Sequence, residues 1–382
     1  MTAIAHLGLQ WIGFGIAGGA MLYAMAAWVA VRTRLRGPHF TPGDLPPVTI
    51  LKPLCGAEPE TYECLRSFCN QEYPDYQVIF GVCDAQDPAV AIVSRLQREF
   101  PQRDLQMAVE RRQHGSSRKV SNLINMMPLA RHDFLVLSDS DVKVKRDYLA
   151  KIAAPLLEDG VGIVTCAYRA CPRRGVWSML GSLFINDWFA PSVRVAAFAG
   201  SRAFAFGATI AIRRGVLAAI GGLASIADQL ADDYRLGELT RRQGLRTVLS
   251  EVVVEVCVAE RSLGELMRHE LRWLRTIRAL RPVAYGLSFV TFGVPVAVLG
   301  TLLAGCAAPA VGMLAVTVLA RLTLHLSTRV PSSSALQLLI LPLRDVLSLG
   351  LWVWGFATRR VYWREDLYHV TRDGSVQLIA RT

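Results

Sequence analysis

An α/β domain with a mainly parallel sheet, carrying membrane helices at both its N-terminal and C-terminal ends, is the architecture predicted for this chain. Two observations predict it. Long charge-free apolar runs sit near both ends of a chain that is 52% hydrophobic and only 19% charged, and strand-like and helix-like segments alternate between them. With 382 residues there is room for one large domain or two ordinary ones.

The first element, Leu7 to Val31, is uncharged and is followed by Arg32, Arg34 and Arg36. About 20 apolar residues suffice to cross a bilayer as a helix. A cleaved signal peptide is the competing reading, but it would be shorter and would carry its basic residues ahead of the run. Residues 1–37 are therefore expected to be a membrane anchor, and the trailing arginines place the next domain in the cytoplasm.

Residues 38–260 are expected to form the α/β domain. Its strand candidates are Val48–Leu51, Tyr76–Cys83, Leu105–Val109, Phe134–Ser138, Gly162–Tyr168, Phe206–Ile212 and Thr247–Glu255. Helix candidates lie between them at Glu58–Asn70, Pro88–Arg98, Arg118–Met127, Arg146–Leu157 and Ala231–Gln243. Residues 261–281 read as a basic amphipathic helix at the membrane surface, with snorkelling arginines and an interfacial tryptophan.

Residues 282–358 are expected to be membrane helices. Pro282 to Ala320 is too long for one span and breaks at Gly305–Pro309, which fits a hairpin. Ala335 to Ala357 carries Arg344 and Asp345 side by side, costly in hydrocarbon unless paired or facing protein; it spans, or lies re-entrant or interfacial. Residues 359–382 form a basic tail. Three C-terminal spans would put that tail outside, whereas Arg359, Arg360 and Arg364 favour the inside.

The net charge of +11 is compatible with nucleic acid in a soluble protein. In an anchored chain it fits anionic lipid headgroups and, in smaller part, a diphosphate; no nucleic-acid partner is expected. The eight cysteines lack Cys-x-x-Cys spacing and indicate neither a disulfide framework nor a structural zinc.

Ligands of open α/β sheets sit beyond the carboxyl ends of the strands. Asp84 follows one strand candidate, and Asp139-Ser140-Asp141 follows another. Such carboxylates suit a magnesium or manganese ion and a ribose, and equally an ordinary polar turn. Asp232-Asp233 opens a helix candidate, either as a dipole-complementing cap or with Asp233 as a general base that takes a proton from an attacking alcohol. Arg272 can grip phosphate oxygens through its guanidinium fork. The aromatic residues Phe184, Trp188, Phe189 and Phe198 line an entry for an apolar substrate, or make ordinary core or an interfacial helix.

In this order, Asp84, Asp139-Ser140-Asp141, Asp232-Asp233 and Arg272-Trp273, followed by membrane helices, resemble the D, DxD, (E/D)D and (Q/R)xxRW motifs of membrane-bound, family-two-type inverting glycosyltransferases of GT-A fold. Lys52-Pro53-Leu54, Lys119-Val120-Ser121-Asn122-Leu123 and Phe206-Gly207-Ala208-Thr209 resemble ceramide glucosyltransferases. Ser121 to Ala130 and Phe184 to Ser192 are most similar to the bacterial branch associated with hopanoid biosynthesis. The resemblance covers nearly the whole chain; His269 departs from it, standing where the last motif has Gln or Arg.

The resemblance implies a UDP-sugar donor, a divalent cation (magnesium or manganese) and a membrane lipid acceptor, either a hopanoid receiving N-acetylglucosamine or a ceramide receiving glucose. It implies that Asp84 contacts the uridine, Asp139 the ribose or diphosphate, with Asp141 and Asp139 at the metal. Lys119 and Lys52 would be further nucleotide or phosphate contacts. Asp233 would be the base, Asp232 its neighbour orienting acceptor or base, and Arg272 and Trp273 part of the catalytic set. The implied location is the bacterial cytoplasmic membrane, multi-pass, with the catalytic domain facing the cytoplasm. A processive polysaccharide synthase shares these motifs but needs more spans for a channel. A scaffold has no use for carboxylates after two strands, and the extent of the soluble part disfavours a transporter.

Overall fold

The computed structural model describes residues 2–33, 45–58, 60–173, 175–201, 203–329, 336–363, 366–371 and 374–380. Arg34, Arg36, Ala335, Arg364 and the expected boundary at residue 38 lie outside the described residues.

The central sheet is built from β1 (Val48–Pro53), β2 (Tyr76–Val82), β3 (Asp104–Val109), β4 (Phe134–Leu137), β5 (Val142–Lys143), β6 (Val161–Pro172), β7 (Ile210–Arg213) and β8 (Arg246–Val258). Its order is β3-β2-β1-β4-β7-β6-β8-β5. The β3-β2-β1-β4 half is parallel throughout, β7 runs antiparallel between β4 and β6, and β6 pairs parallel with β8. β1 and β2 are apolar and buried almost end to end, as expected of parallel strands covered on both faces. The register sets Leu51 beside Leu137, so Lys52, near the end of β1, lies beside the segment in which Asp139 follows β4.

Two expected elements differ from the structure for local reasons. The strand expected from Phe206 is β7, beginning only at Ile210. Residues Phe206–Thr209 instead form a tight turn closed by Thr209 N–H on the Phe206 carbonyl (3.0 Å). The helix expected over Arg146–Leu157 is α-helical only for Tyr148–Ala153 and tightens to a 3₁₀ turn over Ala154–Leu157, where Pro155 has no N–H to extend the ladder.

Between β6 and β7 the aromatic stretch folds as helices Val176–Phe184 and Ala190–Phe198 joined through a π-helical turn, Ile185–Phe189. Pro191, lacking an N–H, leaves the carbonyl four residues earlier, at Asp187, without its usual helical donor.

Helices Thr2–Arg32, Ala308–Thr328 and Leu336–Trp354 are long and apolar enough to cross a membrane, and Pro282–Thr291 with Gly293–Leu303 makes a fourth candidate bent by 79°. The turn expected at Gly305–Pro309 is present, with Gly305 (φ 67°) and Cys306 (φ 55°) in the left-handed region; the arm before it is itself bent. Gly300 meets Ala17 and Gly13 so closely that a Cβ on it would come within 2.6 Å of the Ala17 nitrogen. Small residues thus let these helices cross at backbone contact.

Both charges of the Arg344-Asp345 pair are matched. Arg344 is fully buried and binds both carboxylate oxygens of Glu270 (2.8 and 2.7 Å). Asp345 pairs with Arg321 (2.9 Å), which also reaches Asp187 (3.1 Å). Helix Leu336–Trp354 runs alongside helix Leu263–Leu280 and its continuation in the same direction. Leu341 shares a cluster with Leu266, Arg344 meets Glu270, and Trp352 stacks on Tyr285.

The C-terminal segment, expected as a basic tail, carries a small antiparallel sheet of β9 (Arg360–Trp363), β10 (Asp366–Val370) and β11 (Val376–Ala380). Val361, Tyr368, Val370 and Val376 cluster with Leu230, close in sequence to Asp232.

Candidate active site

The carboxyl ends of β1 and β4, the Phe206–Thr209 turn, the start of helix Asp232–Arg242 and the middle of helix Leu263–Leu280 converge on one cleft. Lys119, near the start of helix Arg118–Met126, links two of these elements. Its ammonium binds Asp139 (2.7 Å) and Asp232 (3.2 Å). Burial alone would depress this lysine, but Asp139, Asp232 and Asp233 together hold it above its ordinary value.

Asp233 is held by two backbone N–H groups, Gly207 donating to one oxygen (2.8 Å) and Tyr234 to the other (2.7 Å). The helix starts from Ala231 with no side-chain cap; one oxygen of Asp233 takes the first-turn N–H of Tyr234, while Asp232 faces Lys119. Burial, then the adjacent Asp232 carboxylate, push Asp233 up to about 6, with Lys119 pulling the other way. Gly207 sits at the centre: a Cβ there would lie 3.1 Å from both Asp139 Oδ2 and Lys119 Nζ, and 3.5 Å from Asp233 Oδ2.

Asp141 stands apart from these pairs. Among the described residues no lysine, arginine or histidine forms a salt bridge with it; burial and then Asp139 push it up to about 7, against the attraction of Lys52. No group of three or more histidine, cysteine, aspartate or glutamate side chains with metal-ligand geometry occurs among the described residues. The protein therefore offers a carboxylate or two. That donor set suits magnesium or manganese, which take one or two carboxylates and complete their shells with phosphate and water. The under-neutralised Asp141 is where such positive charge fits.

Lys52 lies behind the cleft. Fully buried, it rests 3.8 Å above the Phe68 ring and donates to the Asp139 carbonyl and to Ser138 Oγ (3.3 Å). Burial draws it down to about 8. Its amine supports the Asp139 backbone, and a direct nucleotide contact would require displacing it.

Asp84 ends β2, two strands from β4, which at about 4.8 Å per strand is roughly 10 Å away along the same sheet edge. It accepts from the Gln86 N–H (2.9 Å) and pairs with Arg111 (2.6 Å), and these hold it below its usual carboxylate value. The structure thus gathers Asp139, Asp232, Asp233, Lys119 and Arg272 tightly, and sets Asp84 at the far end of the same edge.

Arg272 faces the acids as an unengaged cation. No hydrogen bond to its guanidinium occurs among the described residues; burial lowers it while Asp139, Asp233 and Asp232 oppose that. Trp273 beside it enters an aromatic cluster with Phe189 (5.3 Å), Phe184 (6.1 Å) and Tyr168 (6.3 Å). The cluster continues from Phe184 through Trp188 to Phe292, at the break of the bent candidate span. Phe198, by contrast, is exposed. His269 turns away to Glu260 (2.6 Å) and touches Trp273 edge-on.

Sequence reasoning assigned no role to Tyr168, Gly207 or Glu270. Tyr168 is buried on β6, and burial raises it well above its ordinary value, with Asp233, Asp139 and Asp141 adding to that. Its only signal in the sequence is an aromatic residue on a strand. Gly207 lies in the Phe206-Gly207-Ala208-Thr209 stretch, yet its neighbours Asp139, Lys119 and Asp233 come from three distant segments.

A mixed α/β sheet with acidic residues along its carboxyl edge, backed by apolar helices, defines a GT-A-type fold. In agreement, the structure resembles that of the mannosyltransferase PcManGT from Pyrobaculum calidifontis, solved in complex with GDP-Man and Mn2+. The TM-score is 0.53 and the identity 20%, over 91% of this chain and 94% of that one. The chain belongs to glycosyl transferase family 21, whose model matches residues 14–376. Curated relatives include ceramide glucosyltransferase 1 of Caenorhabditis elegans, 22% identical over 239 residues, or 62% of this chain and 51% of that protein. The ceramide glucosyltransferase of Candida albicans is 33% identical over 107 residues, 25% of this chain and 20% of that one. The chain spans about half the length of the Caenorhabditis relative it matches, and less of the fungal one.

Proposed function

We propose that this protein is an inverting glycosyltransferase moving a sugar from a UDP-sugar onto the hydroxyl of a membrane lipid. The observation that carries the reading is Asp233. A carboxylate with a value near 6, held by two N–H groups, faces a cleft that also holds an unengaged arginine. A base poised near working pH takes the proton as the acceptor hydroxyl attacks. Asp232 and Lys119 set its charge, and Arg272 receives the negative charge that develops on the departing diphosphate.

Asp141, with Asp139, would hold the divalent cation, which when bound neutralises the diphosphate. Asp84, roughly 10 Å along the edge by strand spacing, suits the uracil end of the donor. The aromatic cluster from Trp273 to Phe292 gives a lipid acceptor an apolar route from the membrane helices to Asp233.

The names of the curated relatives support glucose and a ceramide-like acceptor, while the resemblance of Ser121–Ala130 and Phe184–Ser192 favours a hopanoid polyol. The catalytic domain is proposed to face the cytoplasm of a bacterial inner membrane. Helix Leu336–Trp354 lies along the surface helix in the same direction, which supports an interfacial placement that would leave the C-terminal sheet on that same side, in keeping with the arginine bias.

The test is transfer by the purified full-length protein, with UDP-glucose and UDP-N-acetylglucosamine each offered ceramide and a hopanoid polyol, products being read by mass spectrometry. Lipid-dependent transfer that stops on chelation and returns with manganese or magnesium is expected. Transfer to no lipid acceptor would overturn the reading, and transfer that persists in chelator would overturn the metal assignment.

A further inference from the structure

Two segments far apart in sequence bring arginines together at one end of the surface helix. Arg275 and Arg278 lie on helix Leu263–Leu280 and Arg281 ends it; Arg359 and Arg360 begin the C-terminal sheet. Arg275 donates to the Arg360 carbonyl (2.7 Å) and Arg278 to the Thr358 carbonyl (3.0 Å), so the two segments are in direct contact. None of these arginines has a carboxylate partner among the described residues, although carboxylates pair with arginines over much of the remaining surface, as at Arg66, Arg242 and Arg246. The Nε of Arg275 is buried without a hydrogen-bond acceptor.

The cluster sits at the membrane boundary on both sides of the contact. Arg281 immediately precedes the bent membrane pair, and Arg359 follows closely the end of helix Leu336–Trp354, with Arg278 over the ring of Phe356 (6.0 Å). A solvated basic face would scatter its charges and intersperse acids. Here guanidinium groups are crowded by fixed backbone contacts and have no carboxylate partner among the described residues. Burial and then mutual repulsion hold Arg275 and Arg278 below the usual arginine value. Clusters of basic residues at the end of a membrane helix attract anionic headgroups, and planar guanidinium forks match phosphate oxygens.

We propose that Arg275, Arg278, Arg359 and Arg360 form a binding site for the phosphate headgroup of an anionic phospholipid of the surrounding membrane. The site adjoins the catalytic cleft through one side chain: Arg281 Nε donates to Tyr234 Oη (2.8 Å), and the Tyr234 N–H holds Asp233. A headgroup at the cluster would thereby fix the end of the helix that carries Arg272.

The test does not depend on sugar transfer. The full-length protein is placed in phosphatidylcholine nanodiscs with and without phosphatidylglycerol, and its unfolding temperature is measured. A ligand that binds the folded state raises that temperature by mass action. The rise with phosphatidylglycerol is expected in the wild type and in the Arg98→Gln/Arg112→Gln control, which removes the same charge elsewhere. It is expected to be lost in Arg359→Gln/Arg360→Gln, whose side chains are exposed, and in Arg275→Gln/Arg278→Gln. No rise in the wild type, or an undiminished rise in the cluster variants, would overturn the proposal. An equal rise with inorganic phosphate in phosphatidylcholine nanodiscs would reassign the cluster to a soluble phosphate and overturn the lipid assignment.

Discussion

The candidate active site and the apolar helices that are candidate membrane spans, with the helix packed on them, handle charge in opposite ways. In the bundle every side chain of the Asp187, Arg321, Asp345, Glu270 and Arg344 set has a partner of opposite sign within 3.1 Å. In the cleft, among the described residues, Asp141 has no cationic partner at salt-bridge distance and the Arg272 guanidinium has no hydrogen-bond acceptor. A low-dielectric bundle cannot tolerate an unmatched charge. The cleft retains unmatched charge of both signs, which is what a substrate carrying a diphosphate and a cation would complete. Unspent charge therefore separates the candidate active site from charge that only holds the fold together.

Replacing Asp233 by Asn should have the largest effect. Loss of a general base lowers turnover by about 10²–10⁴-fold, with donor binding by calorimetry largely retained; wild-type turnover in this variant would remove the base from the cleft's chemistry. Next comes the bundle. Glu270→Gln strands the buried Arg344 and should destabilise the protein by about 3–5 kcal/mol, whereas Glu270→Leu with Arg344→Leu should recover most of that. Equal stability of the single and double variants in thermal unfolding would erase the contrast between the two regions.

A smaller effect is expected at Gly207. An alanine methyl would press on Asp139 and Lys119 at 3.1 Å; overpacking of about 1–3 kcal/mol should reduce kcat/KM roughly tenfold, and steady-state kinetics will show whether the turn is as tight as described. The smallest effect is a shift in pH dependence. Asp233 must be ionised to accept a proton, so turnover should fall as pH drops below about 6. Lys119 holds that carboxylate down, so Lys119→Met should move the acid limb of the rate profile to higher pH. An unmoved limb would mean that another group sets it.

Much of this molecule was legible in the chain. Apolar runs bounded by turn residues located β1, β2, β4 and β6 within a few residues, because strands buried on both faces admit little but apolar side chains; β3 and β8, only partly buried, were legible from their β-branched and apolar residues between turn signals. Asp84, Asp139 and Asp141 were legible because each directly follows such a strand. The Phe206–Thr209 turn was not, since its β-branched and aromatic residues are those of a strand. The turn closes with its own Thr209 N–H on the Phe206 carbonyl, and its Gly207 N–H is taken by Asp233 from another part of the chain. Strands β9 to β11 were hidden by the basic residues around them, and their stability comes from packing against Leu230.

The sequence by itself determined the alternation of elements, the membrane-compatible runs and the positions of the acids at strand ends, because each depends on residues near one another in the chain. Tertiary structure alone decided that Lys119 bridges Asp139 and Asp232, that Arg344 is neutralised by Glu270, and that Lys52 lies beneath the cleft. Coulomb energy and burial act through space, and no local pattern encodes which distant charge a side chain will meet.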